Sequence, residues 1–296
     1  MIPPREQWCI QIDVTNACPR RCSNCTRLLA HARKRWDMSV EDFARAVEAL
    51  EDFPTQSPPD RRGRRKVVGI IGGEPLLHPE FPRLCEIMIE AIPQMRHRGL
   101  WTGVRCERHP YRAAVQRLIG PRPSPKATPN ARAGYLNQNL HDTQCSHQPV
   151  LVAVRDVVHD EAAMWEWIDR CPLQQQWSAT ITPKGFFFCE VAGALDLVFD
   201  GPGGLPVTPA CWRHDLAEYR GQIERWCPRC GVCLPLEGRL DTEEVDDISR
   251  SNLKTLRRLG SPRVLAGMYA AFDAGKYDPE AFREDWAPLR YLGKKP

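Results

Sequence analysis

An α/β fold is what this chain predicts, on three observations. Strand-like and amphipathic helical segments alternate over roughly the first 165 residues. The first strand runs into a cysteine-rich loop, and the second into a glycine turn. Beyond about residue 165 the texture changes to short apolar stretches broken by glycine, proline and cysteine.

The elements follow in order. WCIQIDVT (8–15) alternates apolar residues and is rich in β-branched ones, so it reads as a strand. The loop NACPRRCSNCTR (16–27) follows it. SVEDFARAVEALEDF (39–53) is a helix: Ser39 suits the N-cap with Asp42 three residues on, Phe43, Val47 and Leu50 share a face, and Pro54 ends it. KVVGIIGGEP (66–75) is a buried strand entering a glycine turn. EFPRLCEIMIEAI (80–92) is a helix, RGLWTGV (98–104) a strand, and YRAAVQRLIG (111–120) a helix ending at Gly120. PRPSPKATPNARA (121–133) is a polar surface loop. GYLNQNL (134–140) and PVLVAVRDVV (149–158) are strand candidates, and DEAAMWEWIDRC (160–171) is a helix. Repeated strand–helix alternation predicts parallel βαβ units in an open or closed barrel. WSATITPKGFFFCEV (177–191) reads as a hairpin turning at Pro183–Gly185, FDGPGGLPVTP (199–209) as a loop, and 241–296 as a helical tail.

At 296 residues, one large domain with a smaller appendage is expected: a barrel over 1–165, a cysteine-rich region over 166–240 and the tail over 241–296. Hydrophobic residues make up 42% and charged residues 26%, as in soluble globular proteins. A net charge of +4 permits an anionic substrate without demanding one. The basic run Arg61, Arg62, Arg64, Arg65, Lys66 is expected to be a solvated loop. With no apolar run of membrane-spanning length and no secretory signal, the expected location is a reducing cytoplasm. Disulfides are disfavoured there, so 13 clustered cysteines point to metal or cluster ligation.

Cys18, Cys22 and Cys25 form C-x3-C-x2-C. Three soft thiolates can hold three corners of a [4Fe–4S] cube and leave the fourth iron open. An open coordination position is where chemistry occurs at a metal. The alternative is a zinc site with a fourth ligand such as His31. The second strand ends in Gly72-Gly73-Glu74-Pro75. A cysteine loop after the first strand and GGEP after the second resemble the radical S-adenosylmethionine superfamily.

That resemblance implies a partial (βα)6 barrel. It implies that Cys18, Cys22 and Cys25 hold the cluster while S-adenosylmethionine chelates the open iron. Gly72, Gly73, Glu74 and Pro75 would receive its methionyl group, through backbone carbonyls and the Glu74 carboxylate. Glycine suits such a place, because only a backbone without a side chain can come so close. Asn137, Asn139 and Arg155, on later strand candidates, would reach the ribose and carboxylate. An electron donor such as flavodoxin or ferredoxin would serve the cluster. Asn24 departs from the family, which often has an aromatic residue there near adenine. Thr26 and Arg27 are either cofactor contacts or the start of a helix.

Cys171, Cys189, Cys227, Cys230 and Cys233 form a second group. C-x13-G-x3-C followed by C-x2-C-x2-C is similar to the SPASM and Twitch extensions, which carry auxiliary [4Fe–4S] clusters. The shortened pattern implies one cluster, held by Cys171, Cys189, Cys227 and Cys230 with Cys233 in reserve. A zinc ribbon is the alternative. Cys9, Cys85, Cys106, Cys145 and Cys211 lack spacing partners and read as small buried hydrophobes, with Cys211 the one to check.

The first strand begins near residue 8, so no peptide-recognition domain is expected before the barrel. The stretches VTNACPRRCSNCTR, GIIGGEPLLHPE and GFFFCEVAGALDLVFDGPGG resemble stand-alone phage and bacterial radical enzymes linked to thymine hypermodification. This implies an isomerase rearranging a glycinyl-type modified thymine in DNA, in the host cytoplasm if phage-encoded. Modification of a peptide or small metabolite is one alternative, and a non-catalytic zinc-dependent nucleic-acid-binding module another. His78, Trp101 and Trp177 are pocket candidates, with packing roles the simpler reading.

Overall fold

The computed structural model describes residues 1–121, 132–140 and 145–282. Most of the expected 121–133 loop and the end of the tail lie outside the described residues. The strands are β1 (Cys9–Asp13), β2 (Val67–Ile71), β3 (Arg98–Thr102), β4 (Tyr135–Gln138), β5 (Ser178–Thr182) and β6 (Gly185–Phe187). They form one sheet in the order β4-β3-β2-β1-β5-β6. Pairing is parallel from β4 through β5, and β6 returns antiparallel to β5. The expected α/β class holds. β5 and β6 come from the segment beyond residue 165, yet they extend the same sheet beside β1.

The two faces differ because side chains alternate along a strand. On one face Ile10, Ile12, Val68, Ile70 and Leu100 join a core with helices α1 (Val40–Glu48), α2 (Phe81–Ala91) and α3 (Arg112–Ile119). Ser39 caps α1 as expected, its Oγ accepting from Asp42 N at 3.0 Å. Phe43 and Phe81 are fully buried there, each contributing about 1.5–3 kcal/mol of burial. The other face carries a ring cluster near the strand starts: Trp8 lies 4.9 Å from Trp177, and Trp101 5.1 Å from Tyr135. The Trp101 ring lies over Gly69, where an added Cβ would come within 2.0 Å of it. Trp101 and Trp177 are therefore packing residues first.

Four expectations are corrected. Pro54 does not end α1. The helix stops at Glu48, and Pro54 sits in the first turn of a short helix, Phe53–Gln56, where its missing N–H costs nothing. The 149–158 segment is not a strand: its apolar residues from Val150 to Val154 are buried, and Val154–Val157 form a helical turn before helix α4 (Glu161–Asp169). A buried apolar run does not by itself distinguish strand from helix. The tail is not simply helical, since strands β7 (Asp246–Ile248) and β8 (Tyr269–Ala271) pair in parallel around α6 (Arg250–Arg258). In the basic run, Lys66 is buried, its Nζ donating to Arg5 O and Gln7 O, and burial lowers its pKa to about 8. Among the described residues, no helix is long and apolar enough to cross a membrane.

Replacing Gly69 by alanine should force the Trp101 ring out of place and cost about 1–3 kcal/mol. Ser39→Ala should cost about 1 kcal/mol. Urea denaturation of the two variants checks the order; equal losses would refute the tight ring–glycine contact.

Candidate functional site

The two sequence motifs meet at the C-terminal ends of β1 and β2. Gly73 N donates to Thr15 O, and Glu74 N to Ala17 O, both at 2.7 Å. The turn is thus hydrogen-bonded to the chain that leads into Cys18. Gly72 has φ +143°, and a Cβ there would meet Thr15 O at 2.4 Å. At Gly73 a Cβ would come within 2.2 Å of Ala17 O. Both obstacles are backbone and cannot swing away, so both positions require glycine. Pro75 starts a single 3-10 turn, Pro75–Leu77.

Glu74 is buried, and its carboxylate accepts from Thr102 Oγ1 (2.7 Å), Gly103 N (2.7 Å) and Leu76 N (3.1 Å). The carboxylate expected to receive a cofactor amine is instead largely spent on the end of β3. A carboxylate offers about four acceptor positions, and three are filled.

Cys18, Cys22 and Cys25 are partly buried and within electrostatic reach of one another. Burial raises the pKa of all three thiols, and neighbouring thiols raise those of Cys18 and Cys22 further; Cys18 reaches about 11. Like charges crowded in a poorly solvated loop cannot all ionise without a cation among them. Among the described residues, no three His, Cys, Asp or Glu side chains are gathered so as to hold a metal ion. His31 is buried and already committed, with Nε2 2.9 Å from Asp246 Oδ2 and Nδ1 2.7 Å from Ser261 Oγ. It is therefore not placed as a fourth zinc ligand.

The far side of the loop is gripped by the C-terminal segment. Ser23 N donates to Asp241 O (2.9 Å), and Val245 N to Ser23 Oγ (3.0 Å). Fully buried Arg263 donates to Arg21 O (3.0 Å) and Cys22 O (2.9 Å), and pairs with Asp246 through Nε at 2.8 Å. Asp246 also accepts from Asn24 N. Burial alone would raise the Asp246 pKa, but hydrogen bonds from His31 and Arg263 outweigh it and hold the carboxyl below its usual range. Asn24 has φ +49°, which asparagine tolerates well. Its amide donates to Asp247 Oδ2 and accepts from Asp247 N, both at 2.9 Å. This accounts for the residue that departs from an aromatic: Asn24 fastens the loop to β7.

Other candidates are scattered. Arg27 turns inward, its Nε donating to Asp13 Oδ1 at 2.9 Å and Nη2 reaching Gln11 and Glu190. Sequence reasoning left Arg27 open and missed Gln11, Asp13 and Glu190; the polar residues at alternate positions of β1 were the available signal. Asn137, on β4, pairs in register with Trp101 of β3. Asn139 donates to Cys145 Sγ at 3.3 Å. Arg155 is not brought to the site. The strand expected to carry it is a helical turn, and its guanidinium contacts Ser251 Oγ. His78 is buried, with Nε2 2.9 Å from Met38 O and Nδ1 accepting from Glu80 N. Cys211 is a buried core thiol.

Cys171, Cys189, Cys227, Cys230 and Cys233 line one apolar pocket. Cys171 precedes the short helix Pro172–Gln176, and the backbone N–H groups of Gln174 and Leu173 offset part of the rise that burial causes in its pKa. Cys189 precedes helix α5 (Glu190–Val198), and the backbone N–H groups of Ala192 and Val191 act on its thiol in the same direction. Burial raises the pKa of all five thiols, Cys189 to about 12, and the other thiols raise it further wherever they lie close.

No protein-family model matches this chain, and no curated protein matches it. One solved structure that aligns with it is BtrN in complex with AdoMet and 2-DOIA. The TM-score is 0.44 at 16% identity, covering 75% of this chain and 92% of that one. A likeness at that level is silent on activity, and function must be read from the residues themselves.

Gly73→Ala should push the turn off the cysteine loop and cost about 1–3 kcal/mol in chemical denaturation. Arg263→Ala, which leaves Asp246 buried without its arginine, should lose about 3–5 kcal/mol in chemical denaturation. A variant within about 1 kcal/mol of wild type would show that the clamp is dispensable.

Proposed function

We propose that this chain is a radical S-adenosylmethionine enzyme. The observation that carries the reading is the docking of the Gly72–Pro75 turn onto the cysteine loop through the Gly73–Thr15 and Glu74–Ala17 hydrogen bonds. Two motifs some fifty residues apart are thereby one backbone-bonded unit. The fit to the implied groups is chemical: three thiols within electrostatic reach of one another share a loop docked on the Gly72–Gly73 backbone, and an iron cluster would relieve the repulsion between thiolates.

Cys18, Cys22 and Cys25 would hold a [4Fe–4S] cluster, and the Gly72–Gly73 backbone would admit the methionyl end of S-adenosylmethionine. When bound, these groups supply one-electron cleavage and a hydrogen-abstracting carbon radical. The chain's own residues do the positioning. Glu74 ties the glycine turn to the end of β3. Arg27, two residues past Cys25, ties the loop exit to Asp13 of β1. The Asp246–Arg263 pair closes the back of the loop against water. Asn137 stands on β4 as a further contact candidate.

Cys171, Cys189, Cys227 and Cys230 would hold an auxiliary [4Fe–4S] cluster, with Cys233 as the spare thiol. The backbone N–H groups at the helix starts beside Cys171 and Cys189 favour bound thiolates, since they lower the pKa of both thiols against burial. The finer reading is an isomerase acting on a glycinyl-type modified thymine in phage DNA, supplied with electrons by a flavodoxin or ferredoxin. Its support is the likeness of the three sequence stretches quoted above.

Anaerobic isolation should give a brown protein with about eight irons if both sites are [4Fe–4S]. With dithionite and S-adenosylmethionine it should form 5′-deoxyadenosine, and Cys22→Ala should abolish this. Zinc without iron would overturn the reading in favour of a non-catalytic zinc module. A mass-neutral change in a nucleoside of modified DNA checks the isomerase step.

A further inference from the structure

Helix α6 carries a row of cations that its own stability does not explain. Arg250, Lys254, Arg257 and Arg258 share one face of the helix, and all four are exposed. The opposite side buries Asn252, Leu253 and Leu256. No acidic residue stands between Asp247 and Asp273 in the chain. Among the described residues Arg250, Lys254 and Arg258 form no ion pair, and Arg257 donates to Tyr269 Oη at 2.5 Å. Two like-charge pairs stand four residues apart, Arg250 with Lys254 and Lys254 with Arg258, and such pairs weaken a helix. Arg250 is in the first turn, where the helix dipole disfavours a cation. The row therefore costs the helix stability, and an anionic partner would offset that cost.

α6 also sits on the second cysteine loop. Asn252 Nδ2 donates to Arg229 O at 2.8 Å, and Arg229 Nη1 donates to Asn252 Oδ1 at 3.3 Å. Arg229 lies between Cys227 and Cys230 in the chain, so the loop is fastened to the helix at its middle. Arg155, whose guanidinium rests on Ser251 of α6, and Arg258 are both within electrostatic reach of Arg229. The basic row thus continues from the helix onto the loop. Asp156 is the acid in this neighbourhood, and its Oδ2 accepts from Ser251 N at 2.8 Å. From Arg250 to Arg258 the row is about 12 Å long at the rise of an α-helix. A body seated on it is separated from the Cys227–Cys230 loop by the thickness of one helix, about 10–12 Å.

We propose that the outer face of α6 docks an acidic one-electron carrier protein, and that this carrier feeds the second cysteine group. The inference rests on the radical-enzyme reading, since only a redox group gives the carrier a destination. The carrier loses one electron, the group held by the second cysteine set gains it, and no bond changes at the interface. A nucleic-acid strand has complementary charge too. However, α6 belongs to the segment that grips the first cysteine loop on the side away from the glycine turn. A substrate seated there is turned away from the site, whereas an electron can pass through the loop. Exposed charges at a docking face steer the encounter and act mainly on the association rate.

The test uses the anaerobically isolated full chain and two reductants, dithionite and a photoreduced flavodoxin of net negative charge. Binding is read separately, by stopped-flow anisotropy of dye-labelled oxidised flavodoxin at several salt concentrations. Lys254→Glu combined with Arg258→Glu should slow flavodoxin association at least ~10-fold at low salt, within the range that electrostatic steering spans. The loss should shrink as the screening length falls from about 30 Å at about 0.01 M ionic strength to about 3 Å at about 1 M. Arg250→Ala and Lys254→Ala, which remove charge without reversing it, should act in the same direction. S-adenosylmethionine cleavage driven by flavodoxin should fall in step, while cleavage driven by dithionite stays at the wild-type rate. Flavodoxin binding indifferent to the double reversal, or equal losses with both reductants, would overturn the docking face. So would a labelled DNA 12-mer that loses its binding in the double variant while flavodoxin keeps its own. Wild-type protein that binds flavodoxin through these residues yet cleaves nothing with dithionite would sink the radical reading alone.

Discussion

The buried carboxylate of Asp246 is the point on which the cysteine loop depends. It accepts from Arg263 and from the backbone of Asn24, with His31 2.9 Å away. An isolated carboxylate in that position would be prohibitively desolvated. Here the charge is matched by a guanidinium that is itself fully buried, and spare donors of that guanidinium hold the carbonyls of Arg21 and Cys22. Because the peptide unit is planar, fixing a carbonyl also fixes the direction of the next N–H. A loop of small and polar residues, with little apolar surface of its own, thus acquires a defined shape from a segment more than two hundred residues away.

The same loop is held from the front by the glycine turn. Gly72 and Gly73 allow two pieces of backbone to approach where any side chain would collide. Glu74 then transmits the position of that turn to β3. The cysteines sit between two supports, one made of backbone contacts and one of buried charge. This is the kind of rigid mounting that a site needs if it is to hold a reactive group in one place.

The sheet separates structure from chemistry by its two faces. Ile10 and Ile12 of β1 serve the apolar core under the helices, while Gln11 and Asp13, which alternate with them, serve a polar cluster that reaches Arg27 and Glu190. A two-residue period achieves this in a five-residue strand. Buried polar groups on one face specify geometry, and apolar groups on the other supply most of the stabilisation.

The sequence by itself determined the α/β class, the capped helix at Ser39, the hairpin turning near Gly185 and the grouping of cysteines into two sets. Each of these depends on neighbours in the chain: alternation, a capping hydroxyl, a glycine with positive φ, or a short spacing. Only the tertiary structure decided what Asn24, His31 and Arg155 do, because their partners, Asp247, Asp246 and Ser251, lie about a hundred or more residues away. It also decided that 149–158 is not a strand, since an apolar run records burial without recording backbone geometry. The placement of β5 beside β1, and the wrapping of 241–263 around the cysteine loop, are long-range pairings of charge and backbone. Local pattern carries no trace of them, and they set the shape of the candidate site.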